Sequence, residues 1–176
     1  MTAPTTPITW TAGQYPTAAL YNTEIRDNTS FLLNPPKCRA YNSANISINN
    51  STLTALTFNS ERFDTDTMHS TSANTGRITF TTAGLYLVGF HNDWALSAGG
   101  TYRQHRIRLN GTTDIAIDTR RAGEGNTGVE CSMSTLYQFA AGDYVEAYVQ
   151  QDSGGALNVV ATGNFGPEFW AVWVGL

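Results

Sequence analysis

The chain has 176 residues, of which 41% are hydrophobic and only 14% are charged, with a net charge of −4 and a pI of about 5.2. This length suits one domain with a short extension, and the weakly acidic balance excludes general binding to nucleic acid. A soluble monomer usually carries more surface charge. The composition therefore predicts a surface of Thr, Ser, Asn and Gly, or one that is largely buried against other chains.

The first ten residues, MTAPTTPITW, contain neither a basic region nor an apolar run, so they do not resemble a secretory signal. The longest apolar stretches, residues 85–90 and 169–174, are far too short to span a membrane. We therefore expect a protein without membrane insertion that is made in a cytoplasm and leaves it only when the cell lyses.

Residues 1–36 differ in pattern from the rest of the chain. Pro16 and Thr17 favour the start of a helix and Asn34-Pro35-Pro36 ends one, so we expect a helix over about residues 17–33. Two heptads are too short for a stable lone helix. The helix therefore either docks on its own domain, or forms an anchor by associating with other chains. The predicted coiled-coil seam, with alternating spacings of three and four, consists of Ala18, Tyr21, Ile25, Asn28 and Leu32.

From residue 37 to residue 176, short apolar runs rich in β-branched and aromatic residues alternate with Gly, Asn, Ser and Thr. This regular spacing predicts an all-β sandwich. The Asn-Gly pair that follows Leu109 marks a hairpin. A two-residue loop there pairs Ile107 with Asp114, whereas a three-residue loop pairs Ile107 with Ile115 and keeps one apolar face. We therefore predict a three-residue loop or a bulge.

Several predicted strands are apolar on both faces, although a two-layer sandwich buries only one face of each strand. Residues 84–90 (GLYLVGF), 168–176 (EFWAVWVGL) and, in part, 144–150 (YVEAYVQ) have this pattern. No predicted helix remains to cover a second face, so we expect another copy of the chain to cover it. The candidates for this contact are Tyr86, Val88, Phe90, Tyr144, Tyr148, Trp170, Val172 and Val174.

Residues with catalytic or ligand-binding chemistry are sparse. Cys38 and Cys131 are isolated and are predicted to be buried free thiols rather than a disulfide or a metal site. The histidines lack metal-ligand spacing, so we predict no metal ion and no cofactor. QDSGG at 151–155 is similar to the nucleophile turn of trypsin-like proteases, but such a turn needs a histidine base and a buried aspartate that the sequence does not offer. We therefore expect no enzyme activity.

Five of the ten Lys and Arg residues fall within residues 103–121. Alternation puts Arg106 and Arg108 on the outward face of one strand. The cluster either forms a solvated face or salt bridges with Asp114, Asp118 or Glu124 of the return strand, or contributes to a surface that binds an anionic polymer or a capsid. The residues of this possible anionic contact are Arg103, Arg106, Arg108, Arg120 and Arg121.

Residues 58–91 resemble the trimeric globular-head superfamily that includes the collagen-tailed recognition protein of complement and tumour necrosis factor. The match consists of GRITFTTAGLYLV at 76–88, the Gly-Asp in FAAGDYV at 139–145 and FWAV at 169–172. It extends over about residues 38–176. This resemblance implies a ten-stranded jelly roll packed as a homotrimer, with the last strand near the threefold axis.

Residues 10–28, WTAGQYPTAALYNTEIRDN, look like the leading segment of bacteriophage tail-fibre, minor-tail and head-fibre proteins. The resemblance implies a non-enzymatic virion protein that is assembled in the host cytoplasm. Residues 1–36 attach it to other capsid or tail proteins, and the jelly-roll head, residues 37–176, contacts the host surface. We expect loops Ser97–Thr101 and Gly123–Gly128 to bind a surface glycan. Alternatively, the protein decorates or braces the capsid without binding a receptor.

Overall fold

The computed structural model describes residues 4–124, 127–163 and 166–176, which form two antiparallel sheets preceded by one helical segment. The strands are β1 (Lys37–Tyr41), β2 (Ile46–Ile48), β3 (Thr54–Ala55), β4 (Ser60–Asp64), β5 (Arg77–Thr79), β6 (Gly84–Trp94), β7 (Tyr102–Leu109), β8 (Thr113–Arg121), β9 (Val129–Phe139), β10 (Tyr144–Gln151), β11 (Leu157–Val160) and β12 (Glu168–Gly175).

Sheet A is built around β6, the longest of its inner strands. β9 pairs with one edge of β6 over its full length, while β12 and β11 share the other edge. Beyond β12 the sheet continues with β1 and β4, and β2 pairs with β11. In sheet B, β7 lies between β8 and β10, and β3 and β5 both pair with β10. The predicted jelly-roll sandwich is therefore confirmed.

The core lies between the two sheets and is rich in aromatic side chains. Tyr86, Val88 and Phe90 of β6 are all 0% exposed. Phe90 meets Phe169 of β12 edge to face, with ring centroids 6.3 Å apart, and Tyr86 meets Phe139 of β9 at 6.0 Å. The prediction that Tyr86, Val88 and Phe90 contact another copy of the chain is therefore wrong. These three side chains face sheet B, where burial of each contributes about 1.5–3 kcal/mol.

The β7–β8 hairpin contains both of the features that the sequence offered as alternatives. Leu109 pairs with Thr113, which leaves a three-residue loop. A bulge on β8 follows, and Ile107 therefore pairs with Ala116. The predicted pairing of Ile107 with Ile115 is wrong by one residue, because the extra residue of a bulge shifts the register. The Asn and Gly of the loop both adopt positive φ, as a tight hairpin requires.

The helical segment consists of α1 (Ala18–Tyr21), a π-helical stretch (Asn22–Asp27) and α2 (Asn28–Leu33). Thr17 caps its start, since the Thr17 hydroxyl oxygen accepts a hydrogen bond from the Leu20 amide at 3.3 Å. Among the residues that the structure describes, no helix has the length and apolar character needed to cross a membrane.

The helical segment and the loops that join β6 to β7 and β8 to β9 lie at opposite ends of the sandwich. Phe31 of α2 packs edge to face on Trp173, with ring centroids 4.8 Å apart, and Trp173 touches Gly84 at the start of β6. The 11 residues of β6 then extend about 33 Å to the other end. The loops at 95–101 and 122–128 begin there, because one follows β6 and the other precedes β9.

Candidate functional site

The outward face of sheet A carries apolar side chains across its central strands. Val172 of β12 pairs with Leu87 of β6, and Leu87 pairs in turn with Leu136 of β9. Alternation along each strand puts these side chains on the face that points away from the core. Leu136 is 57% exposed in the single chain. We define the apolar face by its six members: Leu85, Leu87, Leu136, Trp170, Val172 and Val174.

The Trp170 ring lies against Gly89 of β6, which has no side chain to exclude it. A Cβ added to Gly89 of β6 would lie 2.5 Å from Cζ2 of the Trp170 ring, so a glycine is needed there. On the other side of Trp170, Arg39 of β1 and the 45% exposed Phe63 of β4 border a groove of about 320 Å³. A contiguous apolar surface of this kind is typical of a protein contact.

Charges of opposite sign flank the apolar face. On the side of β1 and β4, Arg39 and Arg62 both donate to the carboxylate of Glu168, which is 0% exposed. Two guanidinium groups on one carboxylate leave a net positive charge. On the side of β9, Asp93 pairs with Glu130 across the strands. Burial and, second, the charge of Glu130 raise the pKa of Asp93, as expected for neighbouring carboxylates.

Tyr144 and Tyr148 lie on the outward face of sheet B, on the opposite side of the sandwich. The guanidinium carbon of Arg77 lies 4.0 Å from the ring centroid of Tyr144, and that of Arg108 lies 5.1 Å from the ring of Tyr148. Glu146 lies between the two rings and accepts a hydrogen bond from Arg77. The prediction that grouped these tyrosines with Trp170 is therefore wrong, because outward faces of two packed sheets point in opposite directions.

The five clustered arginines do not form one cationic surface. Arg106 and Arg108 both bind Asp114, at 2.6 and 2.8 Å, and Arg120 binds Asp118 at 2.7 Å. The alternative prediction of salt bridges within the hairpin is confirmed for these three arginines. The carboxylates of Asp114 and Asp118 thus offset two of the three positive charges that an anionic polymer would bind.

A shallow groove lies at the end of the sandwich opposite the helical segment. It has a volume of about 600 Å³ and runs between loop Ser97–Thr101 and residues 121–124. Arg103, only 1% exposed, supports the first loop by donating to the carbonyl oxygens of Ser97 and Gly99. Residues 125–126 of the second predicted loop lie outside the described part of the chain. The two predicted loops are therefore neighbours in space, and Arg121 lines the groove between them.

The predicted helix seam is exposed rather than docked. Tyr21, Ile25 and Leu32 are 51%, 52% and 65% exposed, and Ala18 is exposed as well. Within the helical segment only Phe31 is buried. The helical segment therefore packs on its own domain through Phe31 but not through the predicted seam, and association of the seam with other chains remains a prediction.

The chain that precedes the helix folds back along it. The Asn28 amide pairs with the backbone of Thr5 in both directions: Oδ1 accepts from the Thr5 amide at 3.0 Å and Nδ2 donates to the Thr5 carbonyl at 3.2 Å. Farther along, the Ile8 amide donates to Glu24 at 3.0 Å. The Asn28 side chain therefore holds the residues that precede the helix in place, and it is not an unpaired polar group within an apolar seam.

The polar side chains of the turn at residues 151–155 form hydrogen bonds that hold the loop together. The Gln151 side chain, 0% exposed, donates to the carbonyl oxygens of Ile48 and Gly155, and the Ser153 hydroxyl also donates to Gly155. In the described ranges no histidine hydrogen-bonds to Ser153. The base that a serine nucleophile requires is therefore not among its hydrogen-bond partners.

Both cysteines are free and buried, as the sequence predicts. The Cys131 thiol donates to Asp118 at 3.3 Å. Burial and, second, this hydrogen bond raise the pKa of Cys131 to about 12, so the thiol is protonated at neutral pH. Burial likewise raises the pKa of Cys38 above its usual range. Neither thiol has the depressed pKa that marks a reactive cysteine.

His105 makes the stability of the fold depend on pH. It is 0% exposed, and burial lowers its pKa from 6.5 to about 4. Between these two values the unfolded chain binds a proton at His105 that the folded chain does not. We therefore expect the free energy of unfolding to fall by up to about 3 kcal/mol as the pH drops from 6.5 to 4.

Urea unfolding of the wild type and of His105→Gln at pH 7 and at pH 4.5, in a buffer with a chelator, measures this contribution. Glutamine does not titrate, so the variant should lose less stability on acidification than the wild type. Equal losses in the two proteins would show that His105 does not carry the effect.

No family model and no curated protein matches the sequence. Among solved structures, the chain is similar to Eiger TNF from S. frugiperda, with a TM-score of 0.61 and 9% identity over 80% of this chain and 94% of that one. It is similar to the globular domain of zebrafish complement 1qA, with a TM-score of 0.55 and 14% identity over 79% and 97% of the two chains.

Murine APRIL at pH 5.0 gives a TM-score of 0.59 and 10% identity over 79% of this chain and 98% of that one. Identities this low establish the fold alone. The chain therefore has the jelly-roll fold of the tumour necrosis factor and complement globular-head domains.

Proposed function

We propose that the chain is a non-enzymatic structural protein of a bacteriophage virion, in which a trimeric head is attached through residues 1–36 and contacts a host-surface glycan. The observation that carries this proposal is that the two ends of the molecule carry different surfaces. An exposed helix seam lies at one end of the sandwich, and a groove between two loops lies at the other, about 33 Å away. The assignment to a virion rests on the resemblance of residues 10–28 to leading segments of phage fibre and minor-tail proteins.

The apolar face and its charged flanks support assembly into a homotrimer. A cyclic assembly joins two different surfaces of neighbouring copies. The positive flank of Arg39 and Arg62 on one copy then faces the negative flank of Asp93 and Glu130 on the next. Complementary charge at the rim favours this register over others. Burial of the apolar face supplies the main stabilisation, at roughly 25 cal/mol for each Å² of apolar surface.

The N-terminal segment is suited to attachment because its apolar side chains have no cover within the chain. The trimer brings three seams to the same end of the assembly, since each helical segment packs on its own Trp173 through Phe31. Ile25 and Leu32 are then available to neighbouring helices or to other virion proteins. A helix this short needs such a partner to bury its apolar residues.

The groove at the far end is polar and suits a carbohydrate. Thr101, Arg121 and Glu124 line it and offer hydrogen-bond donors and acceptors to sugar hydroxyl groups. Its volume of about 600 Å³ falls within the range for a small-ligand site. Three grooves on one trimer bind a surface glycan with avidity, which offsets a weak single-site affinity.

Phage particles assembled with variants of the full-length protein test this proposal. The double variant Arg121→Ala/Glu124→Ala removes the charged groups of the groove. We expect its particles to contain normal amounts of the protein and to adsorb to host cells at least about tenfold more slowly. Arg106→Ala, on the outward face of sheet B, is the matched control and should leave adsorption unchanged. Unchanged adsorption with the double variant would refute the groove.

In the same assay, Ile25→Asp/Leu32→Asp tests the anchor. Its particles should lack the protein, because two carboxylates in the seam prevent burial of that face. Thr23→Asp/Ser30→Asp adds the same charge at exposed positions outside the seam and should be incorporated normally. If particles carry every variant and wild-type protein does not compete with adsorption, the capsid-bracing alternative replaces host contact.

A further inference from the structure

A histidine, an aspartate and a cysteine from three strands meet where the sandwich opens between β8 and β9. A ring nitrogen of His105, a carboxylate oxygen of Asp118 and the Sγ of Cys131 all lie within 4.8 Å of one another. His105 and Asp118 are partners across β7 and β8 in sheet B, and Cys131 approaches from β9 in sheet A. This cluster is separate from the apolar face, from the helix seam and from the groove between the two loops.

Buried polar atoms without partners point into the same region. Within the described part of the chain, Nδ1 of His105 has no side-chain partner, and neither amide atom of Asn92 makes a hydrogen bond. The two residues are 0% and 1% exposed. Asn92 pairs with Cys131 across β6 and β9, so both side chains point inward from neighbouring strands. Buried polar groups are nearly always paired in native proteins, so these atoms are open to a partner that the chain does not supply.

The donor set identifies the class of ligand. Thiolate sulfur, imidazole nitrogen and carboxylate oxygen are the ligands that Zn²⁺ takes in proteins, usually in tetrahedral geometry. Donor atoms around such an ion lie about 3.3–3.8 Å apart, and Cys131 Sγ lies 3.3 Å from Asp118 Oδ2. We propose that His105, Asp118 and Cys131 bind a zinc ion, with the carboxamide oxygen of Asn92 as the fourth donor.

Binding of the ion changes the protonation state of the cluster. The Cys131 thiol releases its proton to solvent, and the resulting thiolate and the Asp118 carboxylate together balance the two positive charges of the ion. Arg120 keeps its 2.7 Å hydrogen bond to Asp118 Oδ2 and so orients the carboxylate.

His105 changes tautomer when the ion binds. In the metal-free chain, the Trp94 indole N–H donates to His105 Nε2 at 2.9 Å, so the neutral ring carries its proton on Nδ1. When Nδ1 binds the ion, this proton moves to Nε2, and the Trp94 N–H loses its acceptor. Zn²⁺ itself does not quench tryptophan, so we expect the rearrangement at Trp94 to change the tryptophan emission of the protein when Zn²⁺ binds.

The test uses tag-free, full-length protein that has been stripped with a chelator and titrated with Co²⁺ and then Zn²⁺. We expect one Co²⁺ per chain, an absorption band from thiolate-to-cobalt charge transfer, and a shift in tryptophan fluorescence. Stoichiometric Zn²⁺ should displace the cobalt and abolish the band. Absence of the charge-transfer band would overturn the proposal, because it would mean that no cysteine binds the ion.

Variants assign the site within the chain. Cys131→Ser and Asp118→Asn should weaken Zn²⁺ binding at least about tenfold. Cys38→Ser is the matched control, since Cys38 is the other buried free thiol and lies outside the cluster. It should bind Zn²⁺ as the wild type does. Native mass and circular dichroism verify that each variant is folded. Loss of binding in Cys38→Ser, or retention of it in Cys131→Ser, would refute the assignment.

Discussion

Leu136→Glu should convert the proposed trimer of about 57 kDa, three times the chain mass of 19.1 kDa, into a soluble monomer. Leu136 lies on the apolar face and is 57% exposed in the single chain, so the folded monomer tolerates a charge there. In the proposed trimer the same position is buried, and a carboxylate without a partner opposes association in all three copies. Light scattering after size exclusion measures the mass directly.

Ile117→Glu is the control for this experiment. Ile117 is also a strand residue, is 55% exposed and lies on the outward face of sheet B, so it introduces the same charge on the opposite side of the sandwich. This variant should remain trimeric. A wild-type mass of 19 kDa would refute the trimer. Dissociation by Ile117→Glu, with Leu136→Glu unaffected, would place the contact on sheet B instead.

Glu168→Ala should lower the free energy of unfolding by about 1–3 kcal/mol. Glu168 is 0% exposed and accepts hydrogen bonds from both Arg39 and Arg62. Removal of the carboxylate leaves two neighbouring cations without a counter-charge and a cavity beside β12. Urea unfolding in the monomeric Leu136→Glu background measures this change without a contribution from association.

The exposed Arg26–Asp27 pair provides the comparison. The two side chains are 62% and 43% exposed, so Asp27→Ala should change the free energy of unfolding by less than about 0.5 kcal/mol. If Glu168→Ala changes stability as little as Asp27→Ala does, the carboxylate of Glu168 is not a structural element of the sheet.

The strands and the hairpin show how far sequence patterns reach. Alternating or continuous apolar runs, bounded by Gly and Asn, predict the sandwich because a strand needs only local spacing to bury a face. A bulge depends on the twist of both strands, so the sequence offered it only as an alternative to a three-residue loop. The helix at 17–33 was likewise predictable, since Thr17 and Pro35 act within a few residues of its ends.

The two faces of β6 show where such patterns fail. Leu85, Leu87, Tyr86, Val88 and Phe90 are all apolar, so a period of two carries no information about which set faces inward. The larger aromatic side chains occupy the core because they fill the space between the sheets, and the leucines are left outside. Only the packing of sheet B against sheet A decides this.

The all-β class, the separate N-terminal helix and the lack of recognisable catalytic or metal-ligand spacing can be read from the amino-acid order alone, because each depends on neighbouring residues. Contacts between side chains that are far apart in the chain depend instead on how the strands are arranged. Glu168 binds Arg39 and Arg62 across 129 and 106 residues. His105, Asp118 and Cys131 converge from three strands of two sheets. No short-range pattern specifies such distances, since they follow from strand order and from how the two sheets pack.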